Sequence, residues 1–265
     1  MPPSGLAILI GAGPTAGSGI ARVLANPHQG NLAVALLSRT GSPDLASTLS
    51  TTSHGGVLKA FKSDTTRQSL DSAFTDIRKW ADSIHKDLKL KIAIWNIKHS
   101  HKTPFLEETP EKFSESIETY VTGAMNFSQL SLKWMLDQYP EWKSGEAPLH
   151  KRGTLIFTGT LGALRTNTGF AAYGGGRSAV RMLAQSLARE FSEKGVHVVH
   201  TIANGGITDE YHKLPSGEEG KDAEPVLQGK KMRSEAVGKL YLHLMEQECD
   251  LFIHELDMRP AAEKF

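Results

Sequence analysis

The sequence predicts an α/β fold: a doubly wound, seven-stranded parallel sheet with helices on both faces, a three-layer sandwich. Three observations predict it. Short apolar runs alternate with stretches whose apolar residues recur every three or four positions, a glycine-rich turn follows the first run, and 265 residues suffice for one large core. The strands are expected at Leu6 to Ala12, Leu32 to Ser38, Val57 to Lys62, Lys91 to Asn96, Thr154 to Thr158, Val196 to Ala203 and Leu251 to Ile253. Between them, Leu70, Phe74, Ile77 and Trp80 share one helical face, as do Val180, Leu183, Leu187 and Phe191. In such sheets ligands bind beyond the carboxyl ends of the strands, so the loops after strands carry the chemistry.

Composition narrows the partners. Thirty basic against 29 acidic residues leave a formal charge of +1, which gives no electrostatic footprint for nucleic acid or an anionic membrane. Cys249 is the one cysteine, so no internal disulfide forms, and no metal-type Cys/His spacing accompanies it. A reducing, cytoplasmic setting is expected. The run from Leu6 to Ala12 is too short for a membrane segment and lacks the cationic residues that precede a signal sequence. One domain is expected over residues 1–265. Tyr139 to Gly153 reads as a solvated loop, and His212 to Lys230 as a surface linker or as the body of a lid spanning 205–232.

The first βα turn points to a dinucleotide. Gly13, Gly17 and Gly19 lie where a backbone must approach a pyrophosphate closely, and the following helix N-terminus offers free N–H groups to it, with Thr15 and Ser18 in the same turn. Arg39 ends the second strand, where a cation favours a 2′-phosphate, hence NADP(H); an ordinary surface arginine is the competing reading. After the third strand, Asp64 reads either as acceptor for the adenine amino group or as a helix N-cap, with Thr65 beside it. The residues after the sixth strand, Gly205, Ile207 and Thr208, are placed on the cofactor as well.

Gly13-x3-Gly17-x-Gly19, Asp64, Asn96 after the fourth strand, Thr160 and Tyr173-x3-Arg177 together resemble the short-chain dehydrogenase/reductase family over nearly the whole chain. The resemblance implies a Rossmann-type fold and a homodimer or homotetramer. It also implies a mechanism in which Tyr173 gives a proton to a carbonyl oxygen as hydride reaches the carbon. Thr160 stands at the family's catalytic serine, and Arg177 at the lysine that holds the nicotinamide ribose.

The departures have physical consequences. Threonine keeps the hydroxyl and restricts its rotamer. Arginine one helical turn after Tyr173 keeps a cation on the same face, but it stays charged and cannot pass a proton onward. Tyr120 replaces the asparagine that supports the family's water relay, Asn204 precedes Gly205 where the family has proline, and Lys98 stands for a glycine. Gly174 to Gly176 cost a helix ~1 kcal/mol each relative to alanine, so either a close backbone approach or a frayed helix start is expected there. His99 and His101 lie near the substrate side and read as loop histidines or acid/base groups, while His197, His200 and Trp95 read as core.

Three function classes follow. The first is an NADP(H)-dependent reductase of a carbonyl or imine in a small organic molecule such as a secondary metabolite, with Tyr173 as acid, Thr160 as oxyanion donor and Arg177 as ribose clamp. The second is a non-redox enzyme on the same scaffold, catalysing a cyclisation, isomerisation or elimination with NADP as a structural element. Its dehalogenase-like version, which shares Tyr-x3-Arg, is opposed by the intact glycine turn, Arg39 and Asp64. The third is a sensor that binds NADP without turnover.

Overall fold

The computed structural model describes residues 2–99, 102–139, 150–209, 226 and 228–263. Strand β1 (Leu6–Ile10) is apolar at every position and buried on both sides, as a central parallel strand must be. Its side chains alternate between two cores. Leu6, Ile8 and Ile10 meet α3 (Arg67–Ile84), α5 (Gly123–Asp137) and α6 (Ala171–Phe191), while Ala7 and Leu9 meet α1 (Ala16–Ala25) and α2 (Pro43–Thr52). The remaining strands are β2 (Ala33–Ser38), β3 (Leu58–Lys62), β4 (Leu90–Trp95), β5 (Gly153–Thr160), β6 (Val196–Ala203) and an edge strand near the carboxyl end. The sheet has seven parallel strands in the order β3-β2-β1-β4-β5-β6 and then the edge strand. Strand order reverses between β1 and β4, which opens the crevice where such folds bind ligands.

The helices start where local chemistry stops an extended chain. Thr66 caps α3 by accepting from Ser69 N, and Thr109 caps α4 (Pro110–Ile117) by accepting from Lys112 N, with Pro110 at the first helical position. Between α4 and α5 the helical path widens into one π-helical turn, residues 118–122, which carries Tyr120 inward. Leu70, Phe74 and Ile77 are buried as their spacing requires.

Two short strands were not legible beforehand: β7 (Gly206–Thr208) and β8 (Lys231–Arg233) pair in parallel, and β8 leads into α7 (Ser234–Glu246). The last strand of the main sheet, β9, is Glu255–Met258 and not Leu251 to Ile253. Leu251 is exposed and Phe252 stacks on His197 with ring centres 4.5 Å apart. An edge strand with one wetted face alternates polar and apolar residues, as Glu255, Leu256, Asp257 and Met258 do, so the purely apolar run marked the wrong stretch. Residues 140–149 of the expected loop, and 210–225 and 227 of the expected lid, lie outside the described residues.

Candidate active site

The glycine turn sits at the carboxyl end of β1. Gly11 has φ of +81°, and a Cβ there would come within 2.2 Å of Asn96 O, so glycine is required by conformation and by space. Asn96 braces the same turn, its Nδ2 donating to Gly11 O at 3.0 Å and its N to Ile10 O. Gly13 has open space where a side chain would be, and Thr15, the first residue before α1, makes no side-chain cap. No acidic residue occupies the first turn of α1. An uncapped helix start beside an open glycine fits an anionic pyrophosphate.

The other residues of the turn face inward. Ser18 is buried and donates to Gly13 O at 3.0 Å. Gly17 lies against Ala12 and Gly11, and Gly19 faces α7, where a Cβ would lie 2.2 Å from the Ser234 carbonyl carbon. This close helix packing requires glycine at 19 in addition to any role in the turn, and Gly238 of α7 shares it, a Cβ there lying 2.6 Å from Gly19 O. Arg39 is exposed just past β2. Asp64 is exposed too, and its Oδ1 accepts from Thr66 N at 2.8 Å and from Thr66 Oγ1 at 2.6 Å, contacts that hold its carboxyl below the ordinary range. The helix cap is Thr66, with Asp64 bracing it from two residues away. Thr65 is half-buried against Gly123.

Thr160 ends β5 and Tyr173 opens α6. The Tyr173 hydroxyl lies 2.6 Å from Thr160 Oγ1, either of them the donor, and Gly162 N donates to Thr160 Oγ1 at 3.3 Å. Gly162 is a glycine because the Tyr173 ring passes 2.5 Å from where its Cβ would be. Both hydroxyls open onto a cavity of about 330 Å³, walled by Leu161, Phe170 and Ala203 and by the polar Arg165, Thr166 and Asn167.

Arg177 is buried beneath this pair. Its guanidinium carbon lies 3.9 Å from the Tyr120 ring centre and 4.9 Å from that of Tyr173. One terminal nitrogen donates to the Tyr120 hydroxyl, and both reach Ile97 O at 3.4 Å. The fork expected on the nicotinamide ribose thus faces inward. Burial pushes the Tyr120 phenol above its usual range, and the nearby Arg177 opposes that shift. Tyr120 fills the space where a relay water was in doubt.

The three consecutive glycines lie inside α6, within its first two turns, and helical geometry runs through them. Gly174 admits Thr166, whose Cβ would be 2.7 Å from an added Cβ, and Gly176 lies in ordinary contact with the Tyr120 ring. The close approach is to the chain's own loop; nothing in the structure explains Gly175. His99 faces Glu115 of α4 at 3.5 Å and does not line the cavity, and His101 lies outside the described residues. Trp95, His197 and His200 are buried core residues as expected, with His200 Nδ1 against Glu255 at 3.1 Å.

After β6, Gly205 has φ of +125° and lies against Pro260, Ile207 is half-buried and Thr208 is buried. The next residue, Asp209, was not anticipated. It makes a buried ion pair with Arg22 of α1 at 2.9 Å and accepts from Ser234 Oγ at 3.1 Å. The sequence reading did not single out Gly11 or Gly162 either, because only the fold reveals what lies against each of them.

None of the curated protein sequences matches the chain. A short-chain dehydrogenase from Rhodopseudomonas palustris superposes with a TM-score of 0.71 at 24% identity, covering 98% of this chain and 100% of the other. An alcohol dehydrogenase from the archaeon Thermococcus sibiricus, complexed with 5-hydroxy-NADP, gives 0.74 at 17% identity, covering 98% of each. A 3-oxoacyl-[acyl-carrier protein] reductase from Brucella melitensis gives 0.74 at 17%, covering 99% of each. These likenesses establish the fold. Among the described residues no helix is long and apolar enough to cross a membrane. The short chain dehydrogenase family matches residues 6–216, most of the chain and every strand from β1 to β7, so the chain belongs to that family.

Proposed function

We propose that the protein is an NADP(H)-dependent reductase of a carbonyl or imine group in a small organic substrate. The observation that carries this reading is the 2.6 Å contact between Tyr173 and Thr160 at the floor of a cavity. The open turn at Gly13 and the uncapped start of α1 would hold the pyrophosphate, Arg39 the 2′-phosphate, and Asp64 the adenine. Bound NADPH supplies the hydride. Tyr173 gives its proton to the substrate oxygen, and Thr160 donates a hydrogen bond to that oxygen or orients the Tyr173 hydroxyl toward it. Arg177 sets a fixed positive charge beneath the Tyr173 ring, favouring the negative charge that remains on the phenol oxygen as the proton leaves. Because arginine passes no proton onward, Tyr173 regains its proton from the solvent side of the cavity.

The inward fork of Arg177 and the bulk of Tyr120 favour one second reading, a non-redox reaction with the cofactor retained as part of the site. Calorimetric titration of NADPH and NADH, followed by oxidation of bound NADPH against a panel of carbonyl compounds, separates the two. Binding of NADPH with turnover that Tyr173→Phe abolishes is the expected result. Tight binding without turnover on any carbonyl compound overturns the reductase reading in favour of the second.

A further inference from the structure

The cavity above Tyr173 is not neutral. Its neighbour, of about 260 Å³, shares Leu161 and Arg165 with it and adds Leu164 and Arg259. Among the described residues no aspartate or glutamate lines either space. Arg259 is engaged by Asp257 at 2.7 Å. Arg165, by contrast, is exposed and makes no ion pair with a described residue, although its backbone is fixed by a bond from its N to Leu161 O at 3.0 Å. A second cation lies near the wall residue Phe170: Lys102 Nζ is 5.8 Å from its ring centre, and Phe170 in turn packs edge-on against Tyr173 at 5.7 Å. A cation and two hydroxyls thus line one space together with Leu161, Phe170 and Ala203, and no described carboxylate answers the charge.

We propose that this space takes a carbonyl compound that also carries a carboxylate, which Arg165 grips while Tyr173 and Thr160 address the carbonyl; the assignment rests on the reductase reading. Arginine's planar fork matches a carboxylate through two parallel hydrogen bonds, and one unpaired guanidinium answers one negative charge. Leu161, Leu164 and Phe170 would cover the apolar spacer between the two groups. Lys102 contributes attraction from beside Phe170 and no directed bond.

The test uses the full chain loaded with NADP+, which binds substrate without reducing it. Aryl keto acids of increasing chain length and their methyl esters are titrated by calorimetry. The best acid is expected to bind about tenfold tighter than its ester, since a charge-assisted pair is lost in the ester. That preference should vanish in Arg165→Met, survive in part in Arg165→Lys, and shrink as sodium chloride is raised. An unchanged melting temperature shows that Arg165→Met keeps the fold. Equal binding of acid and ester in the wild type, persistence of the preference in Arg165→Met, or failure of every acid to bind overturns the proposal. Oxidation of NADPH by the same compounds is read separately: acids that bind through Arg165 and are never reduced overturn the reductase reading and leave the carboxylate subsite standing.

Discussion

Tyr173 and Thr160 meet through their hydroxyls at 2.6 Å, thirteen residues apart and on different elements, because Gly162 leaves room for the tyrosine ring to lie over the turn after β5. Two hydroxyls so placed can share one proton with a substrate oxygen. Tyr173→Phe should lower kcat by ~10²-fold or more, the usual worth of a positioned acid. Thr160→Val should cost on the order of 10²-fold, as loss of one oxyanion donor does, while Thr160→Ser retains most activity. NADPH oxidation rates for the four proteins check this, and equal loss in the serine and valine variants would contradict a hydroxyl role.

Arg177 supports Tyr120 as much as Tyr173. Arg177→Met leaves the buried Tyr120 hydroxyl without that donor, a loss of ~1–3 kcal/mol. Adding Tyr120→Phe removes the stranded hydroxyl, so the double variant should be less destabilised than the sum of the singles. Urea midpoints for the two single variants and the double measure the coupling.

Arg39 lies exposed at the place where a 2′-phosphate would end β2. Arg39→Ala should weaken NADPH about tenfold and leave NADH unchanged, because only the phosphate is deprived of a charged partner. Parallel titrations decide it; equal loss for both cofactors removes Arg39 from cofactor choice.

His197 makes stability depend on pH. Burial outweighs the two carbonyls facing its ring nitrogens, Leu244 O at 3.0 Å and Ile253 O at 2.8 Å, and its pKa falls to about 4 from 6.5. His200 is lowered in the same direction, again chiefly by burial. Between about 4 and 6.5 the unfolded chain binds a proton that the folded ring refuses. The contribution is therefore complete above the unfolded value and lost as pH falls toward the folded one, on the order of 3 kcal/mol for His197. Urea unfolding at about pH 7.5 and about pH 4.5 should show the loss, and His197→Gln should shrink the difference.

The pair of Arg22 and Asp209 ties the segment after β6 to the first helix. Asp209→Ala removes the carboxylate that faces the buried Arg22 guanidinium and should cost ~3–5 kcal/mol. Replacing both partners by leucine and methionine should recover much of that loss. Thermal unfolding of the single and double variants tests it.

The sheet was readable because strands buried on both faces are written in apolar residues, wholly in β1 and in β4 at every position but Lys91. The wetted edge strand β9 was misplaced for the complementary reason. Tyr173, Thr160 and Arg177 were singled out by the resemblance, and the structure brings Tyr173 and Thr160 together; the direction of the arginine fork was not legible, since Tyr120, carried inward by the π-helical turn, lies against it. Gly19 was read for the phosphate, and the fold adds its tight packing against Ser234; a glycine's neighbour across the fold leaves no mark in sequence. Asp209 was hidden likewise, its partner lying 187 positions away.

Gly11, Gly159 and Gly162 are each hemmed by atoms of another element: Asn96 O, the His200 ring and the Tyr173 ring. The catalytic floor therefore tolerates no diversity. Leu164, Arg165 and Asn167, in contrast, are exposed on the short loop between β5 and α6, and no helix or strand depends on their side chains. A library built on those three positions can explore new substrates while the reacting groups stay where they are, which makes this loop the place to retrain the enzyme.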